Sequence, residues 1–221
     1  MLARLDRQAG TCTVWLSPSA EDDEVRIDAA GLDSLAEHLS AAAADPDCHV
    51  VVLRSSCDSF CAGMNVEAAA RSGADADRGA RRYADVLRQL LSHPKLVIAA
   101  VDGAAYGGGV GLAAASDILL ATEASCFGLP EITIGLLPAM VLPVLLERMP
   151  AQKARCLALT AAAYPARRAL DVGLVDELVA DQSALDKRIT SLARMARRMP
   201  PGAVLHLKRF SNRLVGAGLS E

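Results

Sequence analysis

Segments with helical periodicity alternate along the chain with segments typical of strands. Leu32 and Leu35 recur at helical spacing within Gly31–Asp45, as on one buried helix face. The runs His49–Leu53 and Leu96–Val101 are rich in small and β-branched apolar residues, which is typical of strands buried on both faces. Similar patterns predict strands at Thr11–Leu16, Asp117–Ala121 and Leu174–Val179, and helices at Gly79–Ser92, Pro138–Arg148, Ala151–Thr160, Pro165–Asp171, Ser183–Arg198 and Gly202–Val215. Because strands and helices alternate, we expect an α/β fold with mainly parallel pairing.

Three unusual segments follow predicted strands, and a polar, glycine-containing loop is predicted at Arg71–Gly79. The segments are Ser59–Asn65 (SFCAGMN), Asp102–Leu112 (DGAAYGGGVGL) and Phe127–Glu131 (FGLPE). Ligands of parallel α/β sheets gather at the carboxyl ends of the strands. The three segments therefore predict a single site.

Composition narrows the class of protein. The 221 residues suit one domain, or one domain with a short appendage, and the 52% hydrophobic content with a net charge of −3 excludes a disordered chain. The longest uncharged runs, Gly103–Ser116 and Ile132–Leu146, are shorter than the ~18 residues of a membrane span. Without a basic block, a nucleic-acid partner is also not expected.

The cysteines and histidines predict neither a disulfide framework nor a metal site. The six cysteines form no CxxC motif, the four histidines fit no metal-ligand spacing, and Met1–Asp6 lacks the apolar core of a signal peptide. We therefore expect reduced thiols, a cytoplasmic protein and no metal.

The glycine run Gly107–Gly111 leaves two interpretations open. It is not a dinucleotide fingerprint, because Leu112 stands where the third glycine is needed, and the Gly-Lys-Ser/Thr of a phosphate loop is absent. The run and a second turn at Gly63–Met64 would allow backbone N–H groups to approach a ligand and form an oxyanion hole, with the following helix directing its N-terminus at the developing charge. Alternatively, the glycines only permit close packing of a helix on the sheet.

Glu131 is the one ionisable residue in an apolar stretch that includes Leu129, Pro130 and Ile132. A carboxylate in such surroundings has a raised pKa, which suits a general acid/base at neutral pH. The alternative is an ordinary exposed carboxylate in a turn.

Together, the three segments and the later ARRALDVGLVDELV resemble the crotonase (enoyl-CoA hydratase/isomerase) superfamily over roughly residues 45–180. The resemblance implies a crotonase-type ββα superhelix with C-terminal helices. It divides the chain into a core at residues 1–180 and a helical region of the same domain at residues 181–221, used for oligomerisation. The expected assembly is a homotrimer or a dimer of trimers.

The resemblance also implies roles for individual residues. The N–H groups of Met64 and Gly108 form the oxyanion hole for a thioester enolate, and Glu131 is the acid/base. Hydratases of the family usually carry a second glutamate where this chain has Gly111. One carboxylate is still sufficient for a syn elimination of water.

The stretch GGGVGL to CLAL, residues 107–159, is most similar to the dehydratases of polyketide β-branching cassettes. Those enzymes convert 3-hydroxy-3-methylglutaryl on an acyl-carrier protein to 3-methylglutaconyl. The resemblance implies a carrier-protein partner and no cofactor beyond the phosphopantetheine of the carrier or of CoA. The chain departs from the pattern at Asn65, where the dehydratases usually have Asp, and at Met140, where they often have Asn.

Further candidates follow from the same resemblance. Ala62, Asn65, Tyr83, Gly111 and Met140 are expected at the substrate pocket, although Tyr83 also suits core packing.

Lys208 and Arg209 are candidates for the pantetheine or carrier contact, or are ordinary solvated residues. Because the chain ends soon after Lys208, we expect an incomplete adenine pocket. An arginine near the polar loop is expected to pair with a substrate carboxylate, since Arg binds one bidentately; the candidates are Arg71, Arg78, Arg81 and Arg82.

The predicted function is dehydration of a 3-hydroxyacyl thioester, with the hydroxymethylglutaryl carrier form as the expected substrate. The alternatives are a CoA-linked hydratase or isomerase, the methylglutaconyl decarboxylase of the same cassette, and a non-catalytic subunit that binds an acyl thioester. A decarboxylase does not need a base at the α carbon, so Glu131 favours dehydration.

Overall fold

A computed structural model describes residues 1–20, 22–64 and 74–216, with the side chains of 74–77 and 215–216 left out. Its strands are β1 Leu2–Gln8, β2 Thr11–Ser17, β3 Val50–Ser55, β4 Leu96–Val101, β5 Ala104–Tyr106, β6 Ile118–Thr122, β7 Cys126–Gly128, β8 Tyr164–Pro165 and β9 Glu177–Val179. The main sheet has the order β1-β2-β3-β4-β6-β9, and a small sheet has the order β5-β7-β8. The predicted α/β class is confirmed.

Pairing in the main sheet is parallel except for the first hairpin. β1 and β2 are antiparallel, with Leu5 opposite Val14, and are joined through Ala9 and Gly10, whose φ values are 49° and 77°. Strand β1 was not predicted from the sequence. It lies at the sheet edge, and most of its residues are exposed, so its hydrophobic alternation is weak.

The helices are α1 Ala29–Ala44, α2 Ala74–Leu91, α3 Gly108–Ala114, α4 Val141–Arg148, α5 Ala151–Thr160, α6 Ala166–Asp171, α7 Gln182–Ala196 and α8 Ala203–Gly216. Apolar residues of α7, such as Leu185 and Ile189, pack with Val52 and Ile98 of the central strands. The opposite face of the sheet belongs to the main core with α1 and α2. Both faces of the central strands are therefore covered, as their apolar sequences predict.

The predicted start of helix α2 is wrong. Helix α2 begins at Ala74, not at Gly79, so six residues of the predicted loop, 74–79, are helical. The alanines and acidic residues at 74–77 suit the first turn of a helix. The segment Asp102–Leu112, for which no regular structure was predicted, contains β5 and the start of α3.

The small sheet brings together the segments that follow the main strands. β5 is parallel to β7, with Ala105 opposite Phe127, and β7 is antiparallel to β8. Strands of two or three residues are too short to show a periodicity, so this sheet could not be predicted. Among the described residues, no helix is long and apolar enough to cross a membrane. The boundary proposed at residue 180 stays a prediction.

Candidate active site

The first two of the three segments singled out in the sequence, which begin at Ser59 and Asp102, lie side by side at the edge of the small sheet. Cys61 forms a parallel bridge with Ala105. Phe60 N donates to Ala104 O at 2.8 Å, and Tyr106 N donates to Cys61 O at 2.9 Å. The turn after Cys61 and the turn after Tyr106 are therefore held next to each other.

The two turns converge at Gly63 and Gly108. Gly63 has a φ of 91°, and a Cβ placed there would lie 2.9 Å from Tyr106 O and 3.4 Å from Gly108 N. Within the described chain, the N–H groups of Met64 and Gly108 have no hydrogen-bond acceptor. Two unpaired amides on adjacent turns are an arrangement suited to one oxygen ligand.

The third segment, Phe127–Glu131, begins in β7 and lies next to the same two turns. Gly107 N donates to Gly128 O at 2.9 Å, and the chain then turns through Pro130 into a 3-10 helix at Glu131–Ile134. A Cβ at Gly107 would lie 3.0 Å from Glu131 Oε1. The carboxylate therefore packs directly against the glycine turn.

The environment of Glu131 favours a proton-transfer role. Its Oε2 atom is buried and has no hydrogen-bond partner within the described part of the protein. Burial raises the pKa of this carboxyl above its ordinary value of 4.5. Glu131 is half-buried in a cavity wall and is not an exposed turn residue.

A cavity of about 460 Å³ opens over these residues. Of the predicted pocket residues, Ala62, Tyr83 and Met140 line it, together with Met64. Among the described lining residues, Glu131 is the only one that carries a formal charge; the others are Gly63, Ala80, Gly107, Gly108, Pro130, Ile134, Leu136, Leu137, Pro138, Ala139 and Val141. The wall suits an acyl chain with few polar groups.

Gly111 does not line the cavity, although it was predicted there. A Cβ at this position would lie 2.1 Å from Tyr83 Oη and 3.1 Å from Val141 Cγ2. The hydroxyl of Tyr83 thus occupies the space of a side chain at position 111. Asn65, the remaining pocket candidate, lies outside the described residues.

Lys208 has a structural role that the sequence did not predict. Its Nζ donates to His93 O at 2.9 Å and to Lys95 O at 3.2 Å, and it pairs with Asp117 at 2.7 Å. Burial lowers the pKa of this ammonium. Because its donors are used inside the fold, the expected pantetheine contact is not supported for Lys208.

Arg209 is exposed, and its proposed contact stays a prediction. Arg78, Arg81 and Arg82, which lie on α2, are absent from the described cavity lining, and Arg82 pairs with Asp33 at 3.2 Å. Arg71 lies outside the described residues. The described wall therefore supplies no cation for a substrate carboxylate.

The wall contributed by Ile134, Leu136 and Leu137 was not predicted from the sequence. Ile134 ends the 3-10 helix, and the two leucines follow after Gly135. Ile134 and Leu137 are largely exposed despite being apolar. The sequence does contain an apolar run directly after the isolated carboxylate of Glu131, but such a run is equally typical of a core segment. Within the described chain, no cluster of three or more potential metal ligands occurs.

Comparisons with known proteins agree with this geometry. A family model described as enoyl-CoA hydratase/isomerase matches residues 25–216. Carnitinyl-CoA dehydratase of Proteus mirabilis is 33% identical over 172 residues, covering 75% of this chain and 64% of the relative. The bacillaene synthase dehydratase PksH of Bacillus subtilis is 30% identical over 171 residues, with the same two coverages of 75% and 64%.

The fold has close counterparts among solved structures. An enoyl-CoA hydratase/isomerase from Marinobacter aquaeolei has a TM-score of 0.89 at 28% identity, covering 99% of this chain and 85% of that chain. The matches to the two dehydratases span less than two thirds of each relative's length. The family model nevertheless covers most of this chain, and the three segments of the site lie within it. The chain belongs to the enoyl-CoA hydratase/isomerase family.

Proposed function

We propose that the protein eliminates water from a 3-hydroxyacyl thioester, with Glu131 as its single carboxylate acid/base. The observation that carries the proposal is the buried Oε2 of Glu131, which has no partner among the described residues, in the wall of an apolar cavity. Met64 and Gly108, whose N–H groups have no acceptor within the described chain, line the same cavity and provide an oxyanion hole for the thioester oxygen.

The proposed reaction uses one carboxylate twice. Ionised Glu131 removes the proton from the carbon α to the thioester, and the electron pair moves into the carbonyl to form an enolate. The two amides stabilise the enolate oxygen, each donor being worth roughly 2.7–4 kcal/mol in comparable sites. The enolate then reforms the carbonyl, the C–O bond at C3 breaks, and Glu131 returns the proton to the departing hydroxyl as water. A pKa closer to neutrality suits both steps.

The finer proposal concerns the substrate. The acyl group is 3-hydroxy-3-methylglutaryl on the phosphopantetheine of an acyl-carrier protein, which is supported by the similarity to PksH, itself named a bacillaene synthase dehydratase. Exposed arginines on α7 and the segment that follows it, Arg194, Arg197 and Arg198, are candidates to meet an acidic carrier.

A second candidate is an uncharged 3-hydroxyacyl or 2-enoyl chain on CoA. It is favoured by the described cavity wall, which is apolar apart from Glu131 and offers no cation to a second carboxylate. Neither the companion decarboxylase nor a non-catalytic subunit is favoured, because neither would use the carboxylate of Glu131 in the cavity wall.

The assembly and cellular setting are further inferences. The exposed side chains of Leu207, Phe210 and Leu214 lie on one side of α8 and support a homo-oligomer, for which a trimer is the family-based proposal. All six cysteines are free, which supports a reducing, cytoplasmic setting.

A four-substrate assay tests the proposal. The purified protein is given 3-hydroxybutyryl and 3-hydroxy-3-methylglutaryl, each on CoA and on a carrier protein, at low and high salt. We expect the highest kcat/KM for the hydroxymethylglutaryl carrier, with an advantage over CoA that shrinks as the Debye length falls from ~10 Å at 0.1 M to ~3 Å at 1 M. A preference for 3-hydroxybutyryl-CoA would instead support the second candidate. Absence of dehydration with all four substrates would contradict the proposed function.

A further inference from the structure

The hydroxyl of Tyr83 occupies an unusual position for a core tyrosine. Tyr83, on α2, is fully buried, and its ring lines the cavity. Its hydroxyl donates a hydrogen bond to Gly108 O at 2.5 Å. The acceptor therefore belongs to the residue whose N–H we assign to the oxyanion hole.

The same hydroxyl closes the space beside Gly111. A Cβ at Gly111 would lie 2.1 Å from Tyr83 Oη, which is far shorter than any tolerated contact, and 3.3 Å from Tyr83 Cζ. Val141 Cγ2, on α4, would lie 3.1 Å from the same Cβ. The Tyr83 hydroxyl thus connects α2 to α3, and Val141 of α4 lies on the other side of the same space.

The backbone that Tyr83 contacts has little intrinsic rigidity. Gly107, Gly108 and Gly109 are consecutive glycines, and glycine has the widest choice of backbone angles. The Gly108 N–H belongs to the Gly107–Gly108 peptide, whose carbonyl accepts from Gly111 N, and its direction also depends on contacts around Gly108. The Tyr83 hydroxyl provides one on the carbonyl side of Gly108, and the ring packs 3.5 Å from where a Gly108 Cβ would lie.

We propose that Tyr83 is a positioning residue, whose hydroxyl fixes the Gly108–Gly109 peptide, and through the shared Gly108 Cα the neighbouring peptide that carries the oxyanion N–H, and excludes any side chain from position 111. The inference rests on the proposed function. Burial raises the pKa of the Tyr83 hydroxyl well above its ordinary value of 10, so the hydroxyl keeps its proton and remains a donor to Gly108 O at neutral pH.

Tyr83→Phe tests the first part, because it removes the hydroxyl and keeps the ring. We expect kcat for dehydration to fall about tenfold with KM nearly unchanged, since the enolate gains more from the oriented amide than the ground-state carbonyl does. The loss should be smaller than the roughly 100-fold effect of deleting an oxyanion donor outright. The matched control is Tyr164→Phe, a buried tyrosine away from the cavity lining, which should leave kcat unchanged.

The second part of the proposal is that the Tyr83 hydroxyl excludes a side chain from position 111. Gly111→Ala tests it when made both in the wild type and in Tyr83→Phe. In the wild type, the new methyl group collides with the Tyr83 hydroxyl, and we expect a lower Tm and lower activity. In Tyr83→Phe, the nearest ring carbon is 3.3 Å away, so the same methyl group should cost much less. Equal losses of Tm in the two backgrounds would overturn the space-filling part of the proposal.

The outcomes separate this inference from the proposed function. The Tm comparison does not require any activity, so it stands even if no thioester is dehydrated. An active parent whose kcat is unaffected by Tyr83→Phe would overturn the positioning role and leave the function intact. A Tyr83→Phe variant that raises KM with kcat unchanged would overturn it too. If Tyr83→Phe is too unstable to assay, the double variant Tyr83→Phe with Gly111→Ala supplies the kcat comparison with the wild type.

Discussion

The burial of Glu131 lowers the stability of the folded protein and at the same time favours catalysis. Its Oε1 packs against the Gly107 turn, while its Oε2 is buried without a partner among the described residues. A half-buried carboxylate costs free energy when it is ionised, because it loses hydration and here its Oε2 gains no hydrogen bond from the described residues. The same cost raises the pKa of Glu131 and makes it a better acid/base near neutrality.

The pH dependence of stability follows from this raised pKa. The folded state holds the Glu131 proton more tightly than the unfolded state, so its stabilising effect is complete below the ordinary value of 4.5 and is lost as the pH rises through the folded pKa. Glu131→Gln should therefore be more stable than the wild type at neutral pH, by a margin that disappears towards pH 4. Urea unfolding of both proteins across this pH range measures the margin.

Glu177→Gln is the matched control with the opposite sign. Arg188 donates two hydrogen bonds to Glu177, at 2.5 and 2.6 Å, and lowers the pKa of that carboxyl. Its contribution to stability is present above its unfolded pKa and is lost as the pH falls through the lower folded value. We expect Glu177→Gln to be no more stable than the wild type at neutral pH. A Glu131→Gln variant that is less stable at every pH would contradict the account of Glu131.

At the scale of elements, α8 depends on one buried ammonium. Lys208 reaches from α8 to Asp117 and to the carbonyls of His93 and Lys95, between α2 and β4. Asp117 also accepts from Val97 N at 2.7 Å, so the ion pair is continuous with the central sheet. The pair ties the last described helix to the main core.

Lys208→Met should therefore reduce stability. The variant keeps the apolar stem but removes the cation in direct contact with Asp117, at a cost of about 3 kcal/mol in the free energy of unfolding. Arg209→Met, its exposed neighbour, should change that free energy by less than about 0.5 kcal/mol. Urea unfolding gives both values. If Lys208→Met left stability unchanged and raised KM for a carrier thioester, the predicted pantetheine contact would be restored.

The elements that could be predicted are those that are long and buried. Strands β3 and β4 have continuous apolar sequences, and α7 has clear helical periodicity, so the sequence located them to within a few residues. Strands β5, β7 and β8 are two or three residues long, and only their pairing reveals them. Helix α3 begins with glycines, whose low helix propensity is overridden by tertiary packing.

In the molecule as a whole, the site forms because neighbouring strands of the main sheet and of the small sheet bring its segments together. Parallel pairing of β3, β4 and β6 places the three motifs at one end of the main sheet, and the small sheet then brings them into contact. The sequence predicted this convergence, together with Glu131, because the motifs follow strands. It could not predict that Tyr83 closes the space at Gly111, because that contact joins residues on separate helices.

The rate of dehydration by Glu131→Gln tests the central claim most directly. Glutamine keeps the shape of the side chain and removes its ability to accept and return a proton. With the best substrate of the four-substrate assay, we predict a loss of kcat/KM of at least ~100-fold, the usual scale of general acid–base catalysis, in a variant that folds normally by circular dichroism. Turnover within threefold of the wild type would contradict the single-carboxylate mechanism.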